Sequence, residues 1–322
     1  MKLMREKNES KKIPARALVL FSGGLDSILA VKILEGQGIE VTALTFTSYF
    51  FDAQQAEKSA RENKIKLKIV YFSDAHFDII KKPKYGRGAG MNPCIDCHLL
   101  MLVQAKKIAK KENFDIIATG EVLGQRPMSQ NFRALELIER KAGLVGKILR
   151  PLCAKALPET EMERKQKSPR AKLLVDRTKL YGISGRSRKN QIELAKKYKI
   201  KYFPSPAGGC ILTEKEYSKK LAELIEKKKK IVSSDLQLLR VGRHFWIEKT
   251  RIILGRNHEE NLALKKIAEK NDVLIEPEDV PGPTALIRGK KNKAVLDYTK
   301  KLLLKYTKNA PDDLQVKIIS RK

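Results

Sequence analysis

Ala17-Leu18-Val19-Leu20-Phe21-Ser22-Gly23-Gly24-Leu25-Asp26-Ser27 passes from a short apolar run into a loop of small polar residues and then into a helical pattern. The periodicity predicts a buried strand over 17–21 and a helix over 27–35, with the loop between them. Two glycines allow close backbone approach. The unpaired amides that open a helix carry the positive end of its dipole, so together they suit a phosphate. Ser22 and Ser27 add hydroxyl donors, and a carboxylate at Asp26 beside a phosphate calls for Mg²⁺ between the two. The loop lacks the Gly-x-x-x-x-Gly-Lys-Ser/Thr of a Walker loop and the Gly-x-Gly-x-x-Gly of dinucleotide folds.

Outward from this loop the alternation continues. Residues 41–46, 67–72 and 114–119 read as further buried strands, 147–152 as a fifth, and 27–35, 53–63 and 95–112 as the helices between. Strand and helix in turn argue an α/β fold with a parallel sheet, whose ligands sit at the carboxyl ends of the strands. Residues 157–172 are charged and aperiodic and read as an exposed loop. A helix is expected over 189–198, then a Pro/Gly-rich turn at 204–209 and a basic helix ending in Lys227-Lys228-Lys229-Lys230. That lysine run reads as a helix end plus linker. Beyond it, strands at 236–241, 245–249, 252–254, 273–275 and 285–287, with helices at 258–270 and 291–306, describe a smaller α+β domain. The expected division is a basic disordered tail at 1–14, a nucleotide domain at 15–156, a loop or linker at 157–175, a helical extension with Cys210 at 176–232, and the last domain at 233–322.

Composition narrows the partners. The chain has 322 residues, 67 Lys+Arg against 37 Asp+Glu, and a formal net charge of +30. Such an excess of cation favours a polyphosphate, with nucleic acid ahead of an anionic membrane or an acidic protein; a Lys-rich solvated surface is the plain alternative. No segment approaches the roughly 18 consecutive apolar residues of a membrane helix. The charged start is no secretory signal, so no membrane partner and a cytosolic location are expected.

Four cysteines are too few for a disulfide-built fold of this length. Asn92-Pro93-Cys94-Ile95-Asp96-Cys97-His98 follows the glycines at 86, 88 and 90 and opens a helix, a setting that lowers a thiol pKa. Cys210 ends Pro206-Ala207-Gly208-Gly209-Cys210, where the glycines let the thiol come close to another group. Three readings are open. Cys94 and Cys210 form a catalytic pair, one carrying a persulfide and the other resolving it as a disulfide. Cys94, Cys97 and Cys210 hold three irons of a [4Fe-4S] cluster, with the fourth iron free for sulfide. Or Cys94 and Cys97 bind structural zinc with Cys153 or His98. Cys153, within a strand-like run, reads as buried packing.

Ser22-Gly23-Gly24-Leu25-Asp26-Ser27 after a first strand resembles the pyrophosphatase loop (PP-loop) of the N-type ATP pyrophosphatases. The likeness implies an adenine-nucleotide-hydrolase-like sheet and cleavage of ATP between its α and β phosphates. An acceptor carbonyl is adenylated and a nucleophile displaces AMP. Ser22, Gly23, Gly24, Asp26 and Ser27 would hold the pyrophosphate end, with Asp26 serving Mg²⁺. Thr45-Phe46-Thr47 and Thr119-Gly120 would contact adenosine. Asn-Pro-Cys-x-x-Cys downstream resembles tRNA thiolation enzymes, and residues 119–130 are similar to a stretch of the 4-thiouridine synthases. The three motifs span most of residues 17–215 and imply a tRNA uridine thiolase of the 4-thiouridine or 2-thiouridine type. Its sulfur would come from sulfide or a persulfide carrier, and the resemblance admits a homodimer. Three cysteines match the cluster-bearing members.

Known 4-thiouridine synthases carry an amino-terminal THUMP domain for tRNA. Here the first strand begins almost at once, so RNA binding is expected elsewhere: Gln125, Arg126, Ser129 and Gln130, the Gly185-Arg186-Ser187-Arg188-Lys189 turn, the last domain with Arg256, and, behind its reading as a helix end, the Lys227–Lys230 run. Residues 253–261 and 279–283 resemble the NFACT-R domain, an RNA-binding module, which would take the place of the THUMP domain. Phe245 and Trp246 read as core, with base stacking as the alternative. Two other readings remain: an adenylating ligase or amidotransferase acting on a small molecule, and an RNA- or ribosome-associated factor whose ATP loop is regulatory.

Overall fold

The computed structural model describes residues 14–164, 174–205 and 210–319. The chain forms two compact units, Met1–Gly88 with Pro93–Gly208, and Ala89–Asn92 with Gly209–Lys322. The division falls inside the stretch 176–232 that the sequence reads as one extension. Its first part packs with the first unit, where Asn63 donates to the Tyr202 carbonyl at 2.7 Å, and its second part belongs to the other unit.

The first unit runs β1 (Arg16–Leu20), α1 (Leu25–Glu35), β2 (Glu40–Thr47), α2 (Gln54–Glu62), β3 (Leu67–Tyr71), α3 (Ser73–Lys81), α4 (Cys94–Lys111), β4 (Ile116–Thr119), α5 (Phe132–Ala142), β5 (Ile148–Leu149) and α6 (Lys189–Lys197). The strands form one parallel sheet in the order β3-β2-β1-β4-β5. After Arg16, β1 is apolar because both its faces are covered. Ala17 and Val19 pack with α1 and α6, while Leu18 points to the layer of α4 and α5.

α3 and α5 occupy stretches to which the sequence reading assigns no element. α5 has a clear local cause: the Asn131 side chain accepts from the Ala134 amide at 2.9 Å, and Gly143, at φ 63°, ends the helix in the left-handed conformation. The stretch 157–164, expected to be exposed, is tied down instead. Glu163 accepts from Thr160 at 2.9 and 2.6 Å and pairs with Arg177, which buries Thr160, Met162 and Glu163. The rest of that stretch, residues 165–172, lies outside the described residues, as do most of the 1–14 tail and Pro206–Gly209.

The second unit carries α7 (Lys215–Lys227), α8 (Ser233–Leu238), β6 (Arg243–Ile247), β7 (Thr250–Leu254), α9 (His258–Ile267), β8 (Val273–Pro277), β9 (Ala285–Arg288), α10 (Lys293–Tyr306) and β10 (Val316–Ile319). Its sheet is antiparallel, in the order β10-β8-β9-β7-β6. Leu236–Val241, expected as a strand, is largely the helix α8 with the turn after it. The Asp235 carboxylate closes its first turn by accepting from the Val232 amide at 2.9 Å. Among the described residues no helix is long and apolar enough to cross a membrane.

Candidate active site

The chain leaves β1 toward β2 and β3 on one side, then returns to place β4 on the other. Sheets of this kind open a crevice at such a reversal, at the carboxyl ends of the two strands. The 22–27 loop follows β1 there, and Thr119-Gly120-Glu121 ends β4 beside it.

Gly23 sits at φ 77°, and a Cβ on it would lie 2.7 Å from the Gln55 carbonyl oxygen. Only glycine allows the loop to press against the start of α2 in this way, and Ser59 fixes it by donating to the Gly23 carbonyl at 2.7 Å. Gly24 is the N-cap of α1 and has no side-chain cap, so the first amides of the helix remain available to an anion. The Ser27 hydroxyl donates to the Gly24 carbonyl at 2.8 Å, and the Gly24 amide donates to Ser22 Oγ at 3.3 Å.

Asp26 is the electrostatic centre of the loop. Burial pushes its carboxyl up from 3.8, against a hydrogen bond from Gln125 and the charges of Arg188 and Arg126. Gln125 Nε2 donates to Oδ2 at 2.9 Å, and the Gln191 amide of α6 approaches the same carboxylate. Oδ1 is buried without a hydrogen-bond partner among the described residues, as are Gln125 Oε1, Arg188 Nε and both polar atoms of the Gln191 side chain. Native proteins seldom leave so many buried polar groups unmatched in one place. An unmatched carboxylate oxygen beside the uncapped start of α1 has the chemistry to hold a divalent cation.

Gln125, Arg126 and Arg188, expected as RNA contacts, gather around Asp26, because the Gly185 amide bonds to the Leu123 carbonyl at 2.7 Å and brings the two loops together. Ser129 and Gln130 are buried, and the Gln130 carbonyl closes a turn by accepting from the Gly124 amide. Arg186 and Lys189 are exposed, whereas Arg256 is held by Glu260 at the start of α9. Thr45 donates to the Phe21 carbonyl at 2.6 Å and Phe46 packs on Phe72. Both are buried in the sheet. Gln191 is absent from the sequence reading; its only signal is a polar residue on the inner face of an amphipathic helix.

Gly120 links the loop to the cysteines. A Cβ on it would stand 2.6 Å from the Ser27 amide nitrogen, so β4 ends directly against the first turn of α1. The next residue, Glu121, is buried and accepts from Thr119 at 2.9 Å and from Arg150 at 3.0 Å, while His98 Nδ1 lies 3.0 Å from its other oxygen. Burial alone would raise this carboxyl, but Arg150 and His98 outweigh it and hold it at about 2. His98 lies on α4 one turn beyond Cys94, on the same helix face. Asp96 accepts the Lys84 and Tyr85 amides at 3.0 and 3.1 Å and anchors the loop that leads toward the helix.

A folded-state pKa below the unfolded value of 4.5 makes Glu121 a source of stability above that pH. The contribution is lost as pH falls through about 2. Glu121→Gln leaves Arg150 short of one buried counter-charge, and a loss of about 3 kcal/mol in urea unfolding at neutral pH is expected. Equal midpoints for variant and parent would contradict this role.

Cys94 and Cys97 lie one helical turn apart at the start of α4, in the first unit. Cys210 belongs to the second unit, at the N-cap of a short 3₁₀ turn over Ile211–Thr213. Ala89–Asn92, the segment leading into Pro93-Cys94, also packs in the second unit: the Met91 amide donates at 2.9 Å to the carbonyl of Leu212, two residues beyond Cys210. Cys153 is fully buried, donates to the Glu121 carbonyl at 3.3 Å, and has its thiol pushed up to about 11 by burial. That suits packing rather than metal binding. Among the described residues no three His, Cys, Asp or Glu side chains group as metal ligands.

Two family models match separate parts of the chain. Residues 13–159 match the family model described as thiamine biosynthesis protein (ThiI), and residues 242–322 match the one described as NFACT protein RNA binding domain. A "Probable tRNA sulfurtransferase" of Thermoanaerobacter sp. (strain X514) is 31% identical over 148 residues, covering 42% of this chain and 36% of the relative. A "tRNA-specific 2-thiouridylase MnmA" of Syntrophomonas wolfei subsp. wolfei is 35% identical over 88 residues, 26% of either protein. This chain thus matches about a third, or less, of the length of these relatives. Among solved structures, a predicted subunit of tRNA methyltransferase from Methanocaldococcus jannaschii is 22% identical with a TM-score of 0.31, over 42% of this chain and 67% of that one.

Proposed function

We propose that the chain is an ATP-dependent tRNA thiolase that activates a uridine carbonyl by adenylation and replaces its oxygen with sulfur, at C2 or C4. The observation that carries this reading is the continuity from Asp26 through Gly120 and Glu121 to His98 and the Cys94–Cys97 turn. It sets a phosphate-binding loop and a thiol-bearing helix start at one end of one sheet. Phosphate chemistry alone would not need the thiols. The similarity to proteins named as tRNA sulfurtransferases and the RNA-binding family match at 242–322 support tRNA as the acceptor.

In this reading the uridine oxygen attacks the α phosphorus of ATP and the bond to the β phosphorus breaks. The amides of Gly24 and the first turn of α1 take up charge on the departing pyrophosphate. Asp26 Oδ1 would hold Mg²⁺, which when bound screens the phosphates and polarises the bond to be broken. Gln125 and Gln191 orient that carboxylate, and Arg126 and Arg188 add positive charge around it. A sulfur nucleophile then adds to the activated carbon and AMP leaves. Glu121 keeps the His98 ring in one orientation over the helix face it shares with Cys94.

Cys94, Cys97 and Cys210 are proposed as the sulfur site. A [4Fe-4S] cluster on the three would present sulfide at its fourth iron. Among the described residues no three His, Cys, Asp or Glu side chains form such a ligand group. Iron and acid-labile sulfide in equal amounts in anaerobically purified protein is the expected result for the cluster; their absence would leave the cysteine pair.

The function is tested by digesting bulk tRNA from a deletion strain and its parent and comparing thionucleosides by mass spectrometry. Loss of one species is expected. An unchanged profile in a genome without a second thiolase would overturn the reading in favour of another acceptor.

A further inference from the structure

The second unit contains a cleft of about 320 Å³ that none of the chemistry above uses. Its walls are the end of α7, the start of α8, the β6–β7 hairpin and the end of β9; beside Leu224, Trp246 and Gly289, every charged residue of its lining except Asp235 is a cation. That carboxylate is already committed, to Lys228 at 2.6 Å and Arg288 at 3.1 Å. Lys227, Lys229 and Lys249 have no carboxylate partner among the described residues. Arg251 is 2% exposed and donates only to neutral groups, the Asp235 carbonyl at 3.1 Å and His244 Nδ1 at 2.8 Å. Burial pushes its guanidinium down to about 10, against the charge of Asp235. An anion in the cleft would add to that stabilising charge.

Trp246, the only tryptophan of the chain, lies in the same lining. It is half-buried, with Lys227 Nζ 5.9 Å and the Arg251 guanidinium 5.8 Å from its ring centre. A site for inorganic phosphate has no use for an indole. A nucleotide has use for both, since bases of any sequence stack on aromatic rings while their phosphates follow cations. The volume lies at the lower end of the roughly 300–1,000 Å³ of small-molecule pockets, which suits one nucleotide and excludes a duplex.

We propose that this cleft takes one unpaired nucleotide of an RNA strand, its base against Trp246 and its phosphates against Lys227, Lys229 and Lys249. Lys227 and Lys229 lie outside the residues matched to the RNA-binding family, so the site joins that region to the helix before it. The proposal needs neither ATP nor sulfur and stands or falls apart from thiolation.

With a single tryptophan, emission of the full-length protein reports on this cleft alone. A short single-stranded oligouridylate is expected to quench it to saturation, and the midpoint should rise steeply with salt. Uridine monophosphate should reach the same endpoint at higher concentration, and pyrophosphate should leave emission unchanged. The double variant Lys229→Ala/Lys249→Ala should weaken the quench about tenfold or more with its melting temperature preserved. Unchanged emission while labelled oligonucleotide saturates by anisotropy would overturn the proposal. Equal quenching by pyrophosphate would make the cleft a simple anion site, and equal affinity for the monophosphate would make it a site for free nucleotides; either result also overturns it.

Discussion

Asp26→Asn is expected to slow pyrophosphate release with tRNA and ATP by on the order of 10²–10³-fold, while the protein becomes no less stable. The carboxylate is the one acidic group of the 22–27 loop, and its Oδ1 has no hydrogen-bond partner among the described residues to lose. Burial raises its pKa in the folded state, so the stability it confers is full below the unfolded value of 3.8 and is lost as pH rises through the folded value. At neutral pH the charge therefore burdens the fold. Asparagine keeps the shape and can still accept from Gln125, so its melting temperature at pH 7.5 should equal or exceed that of the parent. Undiminished pyrophosphate release would remove Asp26 from the reaction, and a markedly lower melting temperature would recast it as structural.

The second large effect concerns sulfur alone. Cys94→Ser should reduce thionucleoside formation on the order of 10³-fold or more, with tRNA-dependent pyrophosphate release largely kept, because activation and sulfur delivery use different groups. Cys153→Ala is the internal comparison: its thiol is buried, raised to about 11 and bonded to the Glu121 carbonyl, so only packing should suffer. If Cys94→Ser stopped pyrophosphate release as well, the thiol would have to act in the first step. If it thiolated normally, the sulfur site would lie elsewhere.

The strand, loop and helix start around residues 22–27 were legible in the sequence because their causes are local. A fully apolar strand, two glycines and a helix start lie within eleven consecutive residues, and the structure keeps them nearly where the pattern puts them. The surroundings of Asp26 were not legible. Gln125 and Gln191 reach it only because the loops after β4 and before α6 meet through the Leu123–Gly185 bond, a pairing with no periodicity to betray it. His98 was visible only as a spare zinc ligand, since its fixed orientation comes from Glu121, a residue far along the chain. Leu236–Val241 shows a different limit. A short apolar run suits strand or helix equally, and the choice was made by one carboxylate, Asp235, bonding back to Val232. Likewise β10 is a strand because β8 offers it an edge, which its own residues do not announce.

The second unit is assembled from two separated pieces of chain, Ala89–Asn92 and Gly209–Lys322. During synthesis the short piece leaves the ribosome long before the carbonyl of Leu212 that receives the Met91 amide. The cysteine turn just after it therefore emerges with its leading segment still unpaired, and reaches its final setting only once the polymerised chain extends past Cys210. Severing the polypeptide between Gly208 and Gly209 would not yield two self-sufficient halves, because the amino-terminal fragment would carry away a strip of backbone that the carboxyl-terminal fragment needs to close.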